Sequence, residues 1–578
     1  MSKNKNDILF YTNNVLLSAF QDNKEIKDYL ISENKQLKNN ISDKDLLDSF
    51  EKIKQGKKIK HSNDNELSFG KAIEKYNQGE YSHAFWDFSQ LLKNDPDNYI
   101  LKRTTANSLI KLQGYKVLKQ KFLPELKKHP DDIEALTIIA NMYMGLEDFK
   151  QAAKYYEILK TKNLNDKEMA NCYSRLSYLY ERTLQDKNID VQIEYTKKGL
   201  GYTDNNAGIY AFLGQLYFRK GDIKTAEKCF NIMYKNKPTV EDEVKYGRFL
   251  MKQGMLTEGF DIMRKRFKTG RVKYPIALTD NKRWDGKADL SDATVIVHYE
   301  QGFGDSVMFS RYIPELSKKA KKIIFVVQKN LIPLFVDSGF DKYCEILSHE
   351  ADVNANITLN NGNRSVMYSE GDGMRRIPHD YHIPIMDLPY VMKENPDKMK
   401  EAGGYLKVPE NKVEKFRKKY IKNNNKIKIG LAYHGTKDSI QTYRDIKPKK
   451  FLPIFQMKGV EFYSFQADEY SEQLKEVDKS IKIYNLAKHF KNFEDTACAM
   501  KCMDLIISTD NVVMNLAGAL GVKTYGLFNV FTESRWYKTT GNDIGWYKSV
   551  RPFQAKTFND WTNLIKDVKS SIEKDFDL

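Results

Sequence analysis

Cysteine is scarce in this 578-residue chain, and long apolar runs are absent. The five cysteines are scattered and odd in number, which argues against a disulfide framework and favours a reducing compartment. No run reaches the roughly 18 apolar residues that span a bilayer, and the first residues contain neither an apolar segment of signal-peptide length nor a small-residue cleavage site. We therefore expect a soluble, cytoplasmic protein that has no membrane partner.

The sequence also lacks a concentrated basic patch, although its net charge is +17. Lysine is spread along the whole chain, without an Arg-rich stretch interleaved with aromatic residues and without a recognised nucleic-acid-binding motif. The charge is therefore interpreted as a solvated basic surface, and no nucleic acid partner is expected. The contents of 41% hydrophobic and 12% aromatic residues are ample for packed cores.

Helical repeats are predicted from about residue 66 onward. In the clearest copy, small, aromatic and turn residues stand at the positions of a tetratricopeptide repeat (TPR): Leu213, Gly214, Tyr217, Gly221, Ala226, Phe230 and Pro238. Small residues are needed where two antiparallel helices touch, and aromatic residues fill the space between repeats. Gly221 is expected in the turn between the two helices.

Weaker copies lie on both sides of this one. Ala84 and Ala152 are 68 residues apart, which is twice the 34-residue period of the repeat. We predict a TPR α-solenoid over residues 66–268 after a helical lead-in over residues 1–65. Stacked helix pairs leave a concave groove, for which we predict capture of a protein partner. The alternative is a rigid spacer or a dimerisation arm, which would form a homo-oligomer.

After Arg271 the pattern changes to short apolar runs that alternate with amphipathic stretches. Six runs are predicted to be buried parallel strands: residues 293–298, 323–327, 427–433, 460–465, 505–508 and 524–528. Helices are predicted between them, at residues 305–318 and 512–520 among others. A basic, polar stretch divides the pattern into lobes over residues 269–394 and 426–578, with a linker over 395–425. The predicted class is α followed by α/β, with two Rossmann-like lobes.

Ligands of open α/β sheets bind beyond the carboxyl ends of the strands, so the loops after three predicted strands are candidate sites. The first loop contains Glu300, Gly302, Gly304 and Asp305. The second contains His434, Gly435, Thr436 and Lys437, with Arg444 and Lys447 just downstream. The third contains Asp510 and Asn511 and leads into a helix with Asn515. Backbone N–H groups, lysine and arginine in such loops suit a phosphate. Ordinary strand-to-helix turns are the alternative.

The order of motifs in these loops resembles that of a known family. The motifs are Trp284-Asp285-Gly286, EQGFGD at 300–305, IGLAYHGT at 429–436, YSFQ at 463–466, FEDTA at 493–497, ISTDN at 507–511 and NLAGALG at 515–521. They resemble the heptosyltransferase-like glycosyltransferase domain that many bacteria fuse to TPR arrays, over about residues 240–575. The resemblance implies a GT-B fold with the acceptor lobe first. Members of the family include flagellin glycosyltransferases, and the layout is similar to that of protein O-GlcNAc transferases.

The resemblance also implies roles for single residues. Asp305 matches the general base that takes a proton from the acceptor hydroxyl, and Glu300 is its rival. Thr436 and Gly435 match the turn that contacts phosphate, and Asp510 matches the Asp of the ribose or phosphate loop. The remaining residues expected at the nucleotide-sugar site are Gly302, Gly304, His434, Lys437, Arg444, Lys447, Gln466, Asp495, Thr496, Asn511 and Asn515. Gln466 is expected near the base, and Lys437, Arg444 and Lys447 would stabilise the charge of the leaving nucleotide.

No metal or other cofactor is expected. The back half has no DxD triplet after any predicted strand, which agrees with the metal-independent catalysis of the family. Cys498 and Cys502 have no second Cys/His pair nearby at zinc-like spacing. His379 and His382 resemble an HxxH pair, but the resemblance implies that their segment is a structural or acceptor-side strand.

Two positions depart from the family pattern. Asn515 stands where the family commonly has His, and an amide cannot carry a proton charge, so an acid role there is in doubt. His434 either replaces a neighbour in the phosphate turn or caps the strand. The predicted function is transfer of a sugar from a nucleotide sugar to Ser/Thr hydroxyls of a protein, such as flagellin or another surface protein. The alternative is a non-catalytic TPR scaffold with a nucleotide-binding domain.

Overall fold

A computed structural model describes most of the chain after residue 67. The described residues are 68–183, 189–203, 206–269, 282–300, 302–348, 357–358, 364–365, 378–393, 404–435, 444–478, 480–530, 532–539, 541–542, 544–557 and 559–578. The helical lead-in predicted for residues 1–65 lies outside them. The chain divides into two compact units, residues 1–204 and 205–578.

Within the described residues, the first unit contains four helix pairs. They are α1 (Phe69–Asn77) with α2 (Tyr81–Asn94), α3 (Tyr99–Lys111) with α4 (Tyr115–Lys121) and the short α5 (Leu123–Leu126), α6 (Ile133–Gly145) with α7 (Phe149–Leu159), and α8 (Asp166–Thr183) with α9 (Ile189–Leu200). Polar residues cap several of these helices: the side chain of Asp132, for example, accepts from the N–H groups of Glu134 and Ala135 at the start of α6. The buried residues between the pairs form a continuous apolar core.

Two more helix pairs begin the second unit. They are α10 (Ala207–Lys220) with α11 (Ile223–Lys235), and α12 (Val240–Lys252) with α13 (Leu256–Met263), followed by a 3₁₀ turn at Arg264–Thr269. A Cβ on Gly214 would lie 3.0 Å from the ring of Phe230, so only a very small residue fits there. Gly221 ends α10 with φ of +87°, which glycine adopts at little cost. The predicted TPR-like helical region is confirmed.

A four-stranded parallel sheet follows the helices. Its elements are β1 (Thr294–His298), α14 (Phe303–Phe309), α15 (Ile313–Leu316), β2 (Lys322–Val326), α16 (Ile332–Asp337), β3 (Glu345–Leu347), β6 (Tyr381–Pro384) and α17 (Leu388–Val391). The strand order is β3-β2-β1-β6, and two short strands, β4 (Ile357–Thr358) and β5 (Arg364–Ser365), pair with each other. We call the four-stranded sheet the first sheet.

The second sheet has six parallel strands. Its elements are α18 (Glu410–Tyr420), β7 (Ile427–Ala432), α19 (Leu452–Phe455), β8 (Val460–Ser464), β9 (Ile483–Asn485), α20 (Phe493–Met500), β10 (Leu505–Thr509), α21 (Val512–Ala519), β11 (Thr524–Phe528), β12 (Val550–Gln554) and α22 (Trp561–Phe576). The strand order is β12-β11-β10-β7-β8-β9. The order reverses between β7 and β10, and this is where a doubly wound sheet binds its ligand.

One apolar core joins the last helix pair to both sheets within the second unit. Phe260 of α13 meets the edge of Phe309 of α14 at 6.1 Å between ring centroids, and Phe309 meets Trp546 at 5.7 Å. This packing sets the loops at the strand ends against each other. None of the helices given above is both long enough and apolar enough to cross a bilayer.

Candidate active-site cleft

The loops at the carboxyl ends of strands from both sheets meet in a cleft. The start of α14, after β1, packs on the start of α21, after β10. A Cβ on Gly304 would lie 3.1 Å from Nδ2 of Asn515, so glycine permits this close approach. At the reversal of the strand order, Nδ2 of Asn511 donates to the carbonyl oxygen of His434 at 3.3 Å. Residues from all three predicted loops therefore come together.

Asp305 lies in the first turn of α14 and is only 6% exposed. Its carboxylate forms an ion pair with the guanidinium group of Arg535, which comes from the loop after β11. The backbone carbonyl of Arg535 accepts from the indole N–H of Trp546 at 2.6 Å. Burial lowers the pKa of Arg535 to about 10, so the side chain stays charged at neutral pH. The predicted base is therefore paired with an arginine that the sequence analysis did not assign to the site.

Glu300 is part of a buried ion-pair network. Arg266 donates through Nε to one of its carboxylate oxygens at 2.7 Å and also pairs with the other, and the N–H of Met386 donates at 3.2 Å. Arg266 further donates to Asp387 at 2.8 Å, and Arg283 donates to Asp387 at 2.7 Å. Through these bonds, the two carboxylate oxygens of Glu300 connect the 3₁₀ turn after α13 with the first sheet. This arrangement favours Asp305 over Glu300 as the base.

Asp510, after β10, is a buried carboxylate with an unused oxygen. Its Oδ2 and the indole N–H of buried Trp536 make no close hydrogen bond within the described residues, although the indole N–H is near enough to lower the pKa of Asp510. Burial raises the pKa of Asp510 to about 6; the positive charge of Arg444 opposes this shift, and Glu533 adds to it. Unpartnered buried polar atoms are uncommon and suit a ligand that supplies the missing bonds.

Lys252, the last residue of α12, reaches into the same cleft. Its ammonium group donates to Oγ of Thr532 and to the backbone carbonyl of Trp536, in the loop after β11. Burial lowers the pKa of Lys252 to about 8, while the charge of Asp510 opposes this shift. No sequence pattern indicated this contact, because Lys252 and Thr532 are 280 residues apart and the lysine resembles many others in the repeats.

The turn after β7 is held by side chains. Oε1 of Gln466 accepts from the N–H groups of Tyr433 at 3.1 Å and His434 at 3.0 Å. Asp445 accepts from the N–H of Gly435 at 3.0 Å and lies 3.0 Å from Nε2 of His434. Burial raises the pKa of Asp445 to about 6. Gln466 therefore shapes the turn, and its predicted place near the base of the nucleotide stays a prediction.

Arg444 lies directly over this turn. A Cβ on Gly435 would be 2.7 Å from Nε of Arg444, so a glycine at this position leaves room for the guanidinium group. Lys447 is exposed. Thr436 and Lys437 lie outside the described residues.

The amide of Asn515 makes one hydrogen bond through its nitrogen and one through its oxygen. Its Nδ2 donates to the carbonyl of Asn511 at 3.0 Å, and its Oδ1 accepts from the hydroxyl of Tyr547 at 3.2 Å. Oδ1 of Asn511 accepts from the N–H of Val513 at 2.8 Å and caps α21. These bonds fix the start of α21 at the cleft.

The other predicted residues lie at helix starts. Asp495 accepts from the N–H of Lys491 at 2.9 Å, and the hydroxyl of Thr496 donates to the carbonyl of Asn492 at 3.3 Å, both at the start of α20. Gly302 is the exposed residue before α14. Their roles in nucleotide binding stay predictions.

In the described ranges, His, Cys, Asp and Glu side chains form no group that could hold a metal ion. Nδ1 of His382 lies 3.3 Å from Nε2 of His298 in the core. The thiol of Cys502 donates to the carbonyl of Cys498 at 3.2 Å.

Comparison with known proteins gives matches to the helical part and to most of the chain. Residues 57–235 match the RNPP family C-terminal domain. Protein FlbA of Caulobacter vibrioides is 21% identical over 533 residues, which are 87% of this chain and 83% of FlbA.

Solved structures of MamA match less than a third of this chain. One is 19% identical and covers 29% of this chain and 94% of that chain, with a TM-score of 0.25. MamA from Desulfovibrio magneticus RS-1 is 17% identical and covers 29% and 92%, with a TM-score of 0.26. The helix pairs described above and the match over residues 57–235 show that this chain contains TPR-like helical repeats.

Proposed function

We propose that this protein is a GT-B glycosyltransferase that moves a sugar from a nucleotide sugar to Ser/Thr hydroxyls of a protein. The observation that carries the proposal is the cleft in which a buried carboxylate of the first sheet, Asp305, meets Arg535 of the second. Two parallel sheets whose strand-end loops face each other are what a GT-B enzyme requires. The motif order of the glycosyltransferase family runs through the same loops.

The second sheet suits the donor. Its strand order reverses at the loops that carry Gly435 and Asp510, where a doubly wound sheet binds a nucleotide. The unused Oδ2 of Asp510 would accept a hydrogen bond from a ribose hydroxyl. Arg444 and Arg535 would face the phosphates, and their charges stabilise the nucleotide as it leaves.

Asp305 would perform the proton transfer. It takes the proton of the acceptor hydroxyl while that oxygen bonds to the anomeric carbon of the sugar, and the bond from this carbon to the phosphate oxygen breaks. The nucleotide leaves with the bonding electrons. Because Arg535 pairs with Asp305 in the free protein, the carboxylate becomes a base when the phosphates of the donor draw the guanidinium group away.

The helical repeats would bring the acceptor. Helix pairs of this kind present a groove that suits an extended peptide, and flagellin or another surface protein is the proposed acceptor. Chemistry at Asp305 uses no metal ion in this proposal, and neither nucleic acid nor a membrane takes part. The proposed place of the reaction is the cytoplasm.

The test is release of nucleotide from a panel of UDP-, GDP-, ADP- and CMP-sugars, with and without flagellin. We expect turnover of one donor that depends on the acceptor and falls by about 100-fold or more in Asp305→Asn, as is usual for loss of a general base. Asp567→Asn, at an exposed position of α22, is the matched control and should keep full activity. Equal loss in both variants would contradict the role of Asp305.

A non-catalytic scaffold is the second candidate function. It is favoured by Asn515, which stands where the family commonly has His and whose amide bonds to Asn511 and Tyr547 at the start of α21. Saturable nucleotide binding without turnover of any donor, with flagellin present, would support the scaffold and reject the enzyme.

A further inference from the structure

The last helix pair contributes a half-buried cation to the cleft. Lys252 ends α12, yet its ammonium group bonds to Thr532 and Trp536 in the loop after β11 rather than to solvent or to its own helix. Enclosing a lysine in this way removes water from its charge, which costs free energy unless a negative partner offsets it. Its two bonds are to a hydroxyl and a carbonyl, both of which are neutral.

Charged groups of both signs lie around Lys252. Asp510 after β10 is near enough to oppose the fall in the pKa of Lys252. Asp510 is in turn near Arg444 after β7 and Glu533 after β11, while Arg535, which pairs with Asp305, is near Arg248 on α12. Two cations from different elements, Lys252 and Arg444, therefore act on one buried carboxylate, Asp510, whose Oδ2 makes no close hydrogen bond within the described residues.

We propose that Lys252 is a ligand for the phosphates of the bound nucleotide, so that the helical-repeat segment supplies part of the donor site. This inference rests on the proposed function for the identity of the ligand. An ammonium group has three N–H donors, and the bonds to Thr532 and Trp536 aim Lys252 at the cleft. The same two bonds fix the loop that carries Arg535, so Lys252 also positions the arginine that pairs with Asp305.

Binding of a phosphate to Lys252 should be accompanied by proton uptake, because the pKa of Lys252 is about 8 in the free protein. A bound phosphate stabilises the ammonium form and raises this pKa. At pH 8.5 a nucleotide should therefore bind with uptake of a proton, and its affinity should fall as the pH rises through 8. The folding stability of the free protein changes with pH in the opposite direction to the nucleotide affinity. Because burial of the charged lysine is unfavourable, this stability rises between pH 8 and 10.5.

The experiment is calorimetric titration of the full chain with UDP, GDP, ADP and CDP at pH 8.5, in buffers that differ in ionisation enthalpy. We expect proton uptake with the nucleotide that binds. In Lys252→Met the affinity should fall by tenfold or more and the proton uptake should vanish. Lys245→Met is the matched control, since Lys245 is on the same helix and pairs with Asp242 at 2.9 Å; it should match the wild type.

If Lys252→Met does not fold, Lys252→Gln tests the charge alone, because its amide can still donate to Thr532 and Trp536. Unchanged affinity and proton uptake in the folded variant would overturn the proposal even if the wild type transfers sugar. Loss of both in a protein that turns over no donor would support Lys252 as a phosphate ligand and reject the transferase. Binding of no nucleotide by the wild type would reject both.

Discussion

Asp510 is a buried carboxylate that lowers the stability of the fold and has an oxygen that a ligand could use. The carboxylate is 6% exposed, and its Oδ2 has no partner within the described residues, while Lys252 and Arg444 are near enough to affect its charge. A side chain without function would be expected to be apolar or fully bonded at such a place. The missing bond is one that a ribose hydroxyl or the N–H of Trp536 can make after a small movement.

This arrangement predicts that Asp510→Asn stabilises the free protein above pH 6. The pKa of Asp510 rises from 3.8 to about 6 on folding, so the folded state binds more protons between these values and stability falls as the pH increases through them. Asparagine removes that cost, which is on the order of 2–3 kcal/mol for such a shift. Urea unfolding at pH 8 should show the gain, and at pH 3.5 the difference should disappear.

The same variant should bind nucleotide less well, because an amide is a weaker acceptor for a ribose hydroxyl than a carboxylate. Greater stability together with weaker binding is the pattern expected of a functional residue. A variant that is less stable than the wild type at pH 8 would show that Asp510 has a structural partner.

Among the elements, apolar pattern alone located six strands of the two sheets to within about one residue, and β6 was not among them. It missed β12, because Pro552 interrupts the run; a proline is tolerated there since β12 is at the edge of its sheet. It also missed β3 and β9, which have three residues each and no periodicity to recognise. The helix pairs were predictable because the repeat fixes the positions of Gly214 and Phe230.

The candidate site was predictable only where it follows a strand. Asp305, His434 and Asp510 were found because the carboxyl ends of parallel strands are a known ligand position. Lys252 and Arg535 were missed as site residues, because one ends a repeat helix and the other lies in an irregular loop. Only the tertiary packing brings them to the cleft.

The packing of Tyr547 on α21 provides a second prediction at the level of elements. A Cβ on Gly518 would lie 2.5 Å from the ring of buried Tyr547, whose hydroxyl holds Asn515. We expect Gly518→Ala to destabilise the fold by about 1–3 kcal/mol, as is usual for overpacking, despite the better helix propensity of alanine.

Gly70→Ala in α1 is the matched control for this substitution. A Cβ there meets nothing within 4 Å, so alanine should stabilise by about 0.4–1 kcal/mol. Thermal unfolding of both variants gives the comparison. If Gly518→Ala were as stable as Gly70→Ala, Tyr547 would have room to move and would not fix α21.

At the scale of the whole molecule, the last helix pair belongs to the core of the sheets as much as to the repeats. Met251 of α12 and Phe260 of α13 are buried in the apolar core that contains both sheets. Arg266, just after α13, pairs with Glu300 and Asp387 of the first sheet. The compact unit accordingly starts at residue 205, and the change of domain that the sequence pattern predicts near residue 268 stays a prediction.

The two boundaries predict different behaviour of fragments. Residues 205–578 keep the shared core and should unfold in urea in one cooperative transition, followed by circular dichroism. A fragment of residues 269–578 lacks α12 and α13 and leaves Glu300 and Asp387 without Arg266, a loss that costs about 3–5 kcal/mol for a buried pair.

Because the shorter fragment also exposes the apolar surface that Phe260 covers, we expect it to aggregate or to unfold without cooperativity. If residues 269–578 were as stable as residues 205–578, the domain boundary that the sequence predicts near residue 268 would be supported. Nucleotide binding by residues 205–578 would assign the donor site to the unit that contains Lys252, and loss of this binding in Lys252→Met of the same fragment would make the last helix pair part of that site.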